Sequence, residues 1–214
     1  GIQGAIANPV QGASNSFYYP DQSLSRSALA LNNGATGGNN FSGLLSELSL
    51  WKAFILARTA DTTINNIAPF QDNPAANGVG GLRTTYTDTN GDGVAVVDID
   101  LGANDFNLTN LDWVISSTNN VPVIFRLRNG SNMVMNNVSI LMGSGGMTGN
   151  SLGAIFVSAY EGNGSSDSVF NGGSNVILNG IGLWDLNTIG QGGNTEIIIN
   201  NAQGCAQFIS QKVN

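Results

Sequence analysis

The sequence predicts a mainly β protein: short strands wound into an irregular β-solenoid or packed as a β-sandwich, with one long helix packed alongside. Three observations point there. After about residue 80, short runs rich in β-branched residues recur roughly every 10–20 residues. Asn-Gly pairs punctuate them, at Asn129-Gly130, Asn163-Gly164, Asn171-Gly172 and Asn179-Gly180. Before them, over residues 41–66, apolar residues recur at helical spacing. The composition agrees. The 214 residues include 29 Gly and 30 Asn, the types that best tolerate the positive φ of tight turns.

Residues 1–40 show little pattern beyond Phe17-Tyr18-Tyr19 and Ala28 to Leu31, set among Gly, Ser, Asn and Gln. Such a segment rarely folds alone, so it reads as an N-terminal arm or cap that folds back on its own domain or is swapped to a neighbour. Residues 41–214 form a single β-rich domain that begins with the helix. Leu44, Leu48, Trp51 and Ile55 recur at i, i+4, i+7 and i+11, flanked by Leu45 and Phe54, which predicts a helix over about 42–61. Ser42 is its expected N-cap, and Lys52 and Arg58 suit the dipole of its later turns. Thr62, Thr63 and Asn65-Asn66 weaken it, and Pro69 stops it.

Strands are expected at 94–100, 113–116, 121–127, 133–142, 153–158, 174–178, 195–200 and 206–213. VPVIFRL and GAIFVS are apolar at consecutive positions, as if covered on both faces. Asn-rich turns favour a solenoid, because amides stacked at successive turns satisfy one another. Against it, no strict repeat is visible, so a sandwich stays open.

Composition also excludes. The net charge is −7 with seven Lys+Arg, which argues against nucleic acid and against anionic membrane surfaces. There is no His, which removes His-activated nucleophiles, His zinc ligands and a His pH switch. Leu44 to Ile67 is interrupted by Glu47, Lys52, Arg58 and Asp61, so no membrane span is expected. Cys205 is alone, which leaves a buried thiol or a crosslink between subunits. The chain opens at Gly1 without Met, as expected after removal of a leader or a tag.

From the helix onward, FSGLLSELSLWKAFILARTADTT, DIDLGANDFNLTNLDWVIS, VPVIFRLRNGSNMVMNNVSILM, GAIFVSAYEG, VILNGIGLWDLNTI and TEIIINNAQGCAQFISQKV follow one another in an order that resembles a family of bacterial secreted proteins. These are the choice-of-anchor A surface domains and their ice-binding-like relatives. The resemblance covers roughly residues 41–214 and is one of pattern and order; it brings no catalytic motif. It implies a right-handed irregular β-solenoid with a helix along it, and a secreted or surface-attached protein of structural or adhesive type.

One motif carries chemistry of its own. Asp88-Thr89-Asn90-Gly91-Asp92-Gly93 repeats the opening of a calcium loop, with side-chain oxygens at alternate positions and Gly at the sixth. The carbonyl of Val94 would follow as a ligand. Position twelve is Ile99, so Asp98 would have to close a shortened loop. The same residues also suit a plain Gly-rich turn. Asp98 and Asp100, with Asp105 or Asp112, are candidates for a carboxylate cluster of the kind that cleaves polysaccharides. Thr85, Thr87 and Thr89 form one T-x-T-x-T row, as ice-binding faces carry, but it is not repeated at rung spacing. Five N-x-[ST] sequons, at Asn40, Asn107, Asn129, Asn137 and Asn163, are about what chance supplies in so Asn-rich a chain.

Edge strands with almost no charge point instead to self-association. MVMNNVSILM has none and AQFISQKV has only Lys212. The expectation is an extracellular, non-catalytic subunit of a fibre, surface layer or matrix. It would be a homo-oligomer or polymer joined through strand edges and the N-terminal arm, require no cofactor and bind calcium at most. The alternative is a module that adheres to ice or glycan; a polysaccharide-active enzyme ranks third.

Overall fold

The computed structural model describes residues 41–74, 81–102, 104–143, 153–158, 170–186 and 197–209. Segment 1–40, Asn163-Gly164 and Lys212 lie outside them. Among the described residues no helix is long and apolar enough to cross a membrane.

Among the described residues, helix α1 (Phe41–Ala57) is followed by fourteen strands in two sheets. Sheet A stacks β1 (Thr62–Ile64), β4 (Ala95–Ile99), β6 (Val123–Leu127), β8 (Ala154–Ser158), β11 (Ile181–Asp185) and β14 (Ala206–Ile209). Sheet B is built from β2 (Gln71–Asn73), β3 (Leu82–Tyr86), β5 (Phe106–Ser117), β7 (Met133–Met142), β9 (Phe170–Gly172), β10 (Val176–Asn179), β12 (Ile197–Ile199) and β13 (Ala202–Gln203). Every pairing is parallel, and the chain alternates between the sheets as it advances. That is a β-solenoid. The sandwich is ruled out, since its hairpins would pair strands antiparallel.

Register aligns like with like along the stack. Val97, Phe125, Phe156, Leu183 and Phe208 form one column of sheet A, and the Phe125 and Phe156 rings stack at 4.5 Å. Phe106, Met133, Phe170 and Ile197 form a column of sheet B. The repeat hides from the sequence because coil length varies: one step runs from Val123 to Ala154, 31 residues, and another from Ile181 to Ala206, 25 residues.

Sheet B bends where one residue turns left-handed. In β5 the buried positions are Phe106 and Leu108, then Leu111, Trp113 and Ile115, so the two-residue alternation slips by one at Asn110. β7 slips in the same way at Asn137. Register places Asp72, Asn110, Asn137, Asn175 and Asn201 one above another, with φ between 46° and 56°. Asn is suited to this conformation, and its amide supplies a bond to the next coil. Asn110 Nδ2 donates to Asp72 Oδ1 and Asn137 Nδ2 to Asn110 Oδ1, each at 3.0 Å. Amide meets amide once along this bend, Asn137 on Asn110, inside strands rather than at turns, and Asn110 meets the carboxylate of Asp72.

At the N-terminal end, the 3-10 turn Ala68–Phe70 places the Phe70 ring edge-on to Trp113 (4.9 Å) and Phe106 (5.1 Å), over the core. Trp113 is wholly buried, and its indole N–H donates to Thr84 Oγ1 at 2.9 Å.

Several local expectations need correction. The helix ends at Ala57 rather than near 61, and Ser42 lies inside it rather than capping it. Residues 62–64 are a strand, drawn into sheet A by pairing with β4. Asn171-Gly172 is no turn but part of β9. Gly172 is buried there, in contact distance of Ile199 and Val176 for any added Cβ, so Gly serves close packing. Only Thr85 of the threonine row is on a strand, because β3 ends at Tyr86.

Candidate functional site

The 88–93 loop and Asp98 lie around the C-terminal end of α1, where two arginines organise them. Arg126 faces outward on β6, 4 % exposed, under the helix. Its Nη1 donates to the carbonyls of Ile55 (2.9 Å), Leu56 (3.3 Å) and Arg58 (2.8 Å), groups that a helix end leaves without intrahelical partners. Its Nε donates to Asp98 Oδ1 at 2.6 Å, from the neighbouring position on β4. Arg128 adds a second, longer contact to Asp98 at 3.8 Å. This cation stops the helix four residues short of its expected end. It also satisfies the buried carbonyl of Ile55 and the part-buried carbonyls of Leu56 and Arg58.

Arg58 follows directly. Its guanidinium lies 4.0 Å from the centre of the Phe54 ring. It pairs with Asp92 Oδ2 at 2.5 Å and donates to the Asp92 carbonyl at 3.3 Å. The 88–93 loop is thereby tied to the helix end.

Within the loop, Asp88 Oδ1 accepts the amides of Gly91 (2.7 Å) and Asp92 (3.2 Å), and Oδ2 accepts that of Gly93 (2.7 Å). Asn90 Oδ1 accepts Asp92 N, and Asp92 Oδ1 accepts Val94 N. Gly91 and Gly93 take φ of 75° and 88°. Asp88, Asn90, Asp92 and Val94 are thus brought into one tight turn. Asp98 is not: its carboxylate belongs to the Arg126 and Arg128 pair. A calcium ion held here would have to compete with Arg58 for Asp92. Among the described residues, no group of three or more His, Cys, Asp or Glu side chains is placed to hold a metal ion.

Asp61, which the sequence offered only as a charge interrupting an apolar run, holds the loop's other side. Its Oδ1 accepts both the amide (2.8 Å) and the hydroxyl (2.6 Å) of Thr89, and its Oδ2 accepts Val96 N at 2.8 Å. Partial burial pushes its carboxyl up, but the Thr89 hydroxyl and the amides of Val96, Thr89 and Asn90 outweigh that and hold it below the ordinary value. Lys52 on the helix is pushed down by burial, partly offset by the charge of Asp185.

The other carboxylates are dispersed. Asp100 Oδ1 accepts Asn129 Nδ2 at 2.6 Å and Gly102 N at 3.2 Å. Asp105 Oδ1 accepts the amide and side-chain nitrogen of Asn132. Asp112 stands on the outer face of β5. Each of Asp98, Asp100 and Asp105 ties one coil to the next, which is structural work. Thr87 and Thr89 are spent locally too: Thr118 Oγ1 donates to Thr87 Oγ1 at 2.9 Å, and Thr89 is bound to Asp61. Cys205 is exposed in the turn between β13 and β14, against the expectation of a buried thiol.

Arg126 carried a signal that could have found it, and Asp98 one that could have assigned it to Arg126. Each is a lone charge in an otherwise apolar strand, and a charge so placed needs a partner. Comparison with protein-family models, with curated proteins and with solved structures finds no match.

Proposed function

We propose that the chain is an extracellular structural subunit, without catalytic activity, that associates with its own copies in a fibre, surface layer or matrix. The observation that carries this reading is the parallel stack with little charge along its edges. At the C-terminal side of the described stack, β12, β13 and β14 present backbone groups with no strand beyond them among the described residues. Ile199, Ala206 and Phe208, which continue the core columns, are only partly buried there. Unpaired backbone beside half-covered apolar side chains suits the addition of another strand. The resemblance to secreted surface domains supports the same reading. The dispersal of the carboxylates into coil-to-coil bonds favours structure over glycoside chemistry, which needs two carboxyls facing one bond. Calcium at Asp88, Asn90, Asp92 and Val94 would stiffen the junction of helix and solenoid without being required for the fold.

Electron microscopy of the purified chain, with and without a chelator, tests the proposal. Regular fibres or sheets are the expected result, and their loss in chelator would assign the 88–93 loop to calcium. A monodisperse particle of one chain across a hundredfold concentration range would sink it.

A second reading, adhesion to ice or glycan, is favoured by the outer face of the second limb of sheet B. There Thr85 and Ser116 lie in register, beside Val114, Leu141 and an exposed Ile177. Retarded ice growth or glycan retention that Ile177→Lys abolishes would select it.

A further inference from the structure

The two ends of the described stack are finished differently. Half-buried apolar residues stand at both: Ile64, Ile67 and Leu82 at the N-terminal end, and Ile199, Ala206 and Phe208 at the C-terminal end. What surrounds them differs. At the N-terminal end the edge strands carry Asp72 and Arg83, and Asp61 lies directly before β1. The turn Ala68–Phe70 adds Pro69, which has no N–H to offer a further strand, and lays the Phe70 ring over the core at 5 % exposure. Charge and proline are devices that keep a sheet edge from pairing. At the C-terminal end β12, β13 and β14 hold neither, since residues 197–209 contain no Asp, Glu, Lys, Arg or Pro. No strand lies beyond them among the described residues.

The Asn ladder has a direction, and that direction decides which ends can meet. Asn137 Nδ2 donates to Asn110 and Asn110 Nδ2 donates to Asp72, so each bond runs toward the N-terminal end. The ladder stops there at a carboxylate, which accepts and has no hydrogen to give. If copies stacked head to tail, Asn201 of one would meet Asp72 of the next, and a carboxylate would sit where the series needs a donor. Two N-terminal ends would bury the charges of Asp72 and Arg83 in the contact. Two C-terminal ends oppose no charge at all. Each brings the other an unpaired strand edge and half-covered core.

We infer that two copies of the chain meet at their C-terminal ends about a two-fold axis, with β14 of one pairing antiparallel to β14 of the other. Such a contact is closed, because the same surface serves on both sides. The core column that ends at Phe208 in one copy then continues into the other. This rests on the reading that copies associate, and adds which surface they use first; growth into a fibre or layer falls to other surfaces.

Cys205 supplies the test, being the one cysteine and exposed directly before β14. The four residues of β14 span about 13 Å, so the antiparallel pair brings the two thiols within reach of a bismaleimide of that length. The full chain is treated with this reagent beside two variants. Ala202→Asp/Gln203→Asp puts charge on exposed positions of β13, and Thr63→Asp does so on β1 as a control. A denaturing gel reads the linked dimer, and sedimentation reads the size of untreated samples. The expected result is a linked dimer in parent and control, with a yield about tenfold lower in the β13 variant, where like charges face each other. Circular dichroism checks that the solenoid is intact. Cys205→Asp, read by sedimentation alone, replaces the β13 variant if that fails to fold. Copies that associate while Cys205 stays unlinked overturn the inference and leave the assembly reading standing. So does association that Thr63→Asp abolishes and the β13 variant does not, which gives a head-to-tail file. A single chain at every concentration overturns both. A linked dimer that never grows further upholds the inference and ends the fibre reading.

Discussion

The outer faces of the two sheets were solved differently by the same chain. Sheet A is covered by α1, so its strands are apolar on both sides: in β4, Ala95, Val97 and Ile99 face the core while Val96, also fully buried, faces the helix. Among the described residues nothing lies on sheet B in the same way. In β5, buried Leu111, Trp113 and Ile115 alternate with half-exposed Asp112, Val114 and Ser116. The difference shows where sequence constraint resides. One face of every strand is set by the solenoid core, and the second is constrained only where a helix lies on it.

The largest expected effect breaks the comparison at its shared element, the core. Trp113 touches Phe70, Phe106, Phe125 and Phe156. Trp113→Ala is expected to cost about 3–5 kcal/mol in denaturant unfolding. Val114→Ala, one residue along on the bare face, should cost about 1 kcal/mol or less. Equal costs would mean that the bare face is covered after all.

Next comes the seam between sheet A and its helix. Arg126→Met leaves Asp98 without its closest cation and the carbonyls of Ile55, Leu56 and Arg58 without this donor, so a loss of about 3 kcal/mol is expected. Hydrogen exchange should show the end of α1 opening while the strands of sheet B stay protected. The paired change Asp98→Leu/Arg126→Met should recover part of the loss, since no unpaired charge remains. Loss spread evenly over both sheets would show that Arg126 serves the core rather than the seam.

Smaller is the expected effect at the bend of sheet B. Asn137→Ala forces a Cβ-bearing residue without a helpful side chain to hold φ of 55°, at about 1–2 kcal/mol, and removes the amide bond to Asn110, worth about 1 kcal/mol. Asn137→Gly relieves the backbone and loses only the amide. Thermal unfolding should rank parent, Gly and Ala in that order. If Gly and Ala fall equally, the ladder acts through its amides alone.

How much of this was legible follows from the same contrast. VPVIFRL and GAIFVS announced two-sided cover because consecutive apolar residues cannot all face one side of a strand. MVMNNVSILM was legible as a strand over its full length, 133–142, but not as a bent one, because a left-handed Asn inside a strand looks like any other polar residue until register stacks it on Asn110. Short strands such as 62–64 and 71–73 carry no periodicity to read, and exist because a longer strand lies beside them. The loop 88–93 was legible as a turn from its Gly and Asx residues. Its ties to Arg58 and Asp61 were not, since they span 34 and 28 residues and depend on where the helix ends.

The smallest effect belongs to Asp61, which joins the two halves of the comparison by holding the loop between the helix and β4. Its carboxyl is held below the ordinary 3.8 in the folded state, so the folded chain binds this proton more weakly than the unfolded chain does. The stability it contributes is therefore present above about pH 4 and is lost as the pH falls through the folded value. The group is mostly exposed, so the contribution is modest and weakens in salt. Asp61→Asn should be less stable than the parent at neutral pH, and the gap should narrow in acid as the parent carboxyl protonates. Melting curves between pH 2 and 7 check it. A gap of constant size would mean that Asp61 works through the shape of its hydrogen bonds alone, and a gap that widens in acid would reverse the sign argued here.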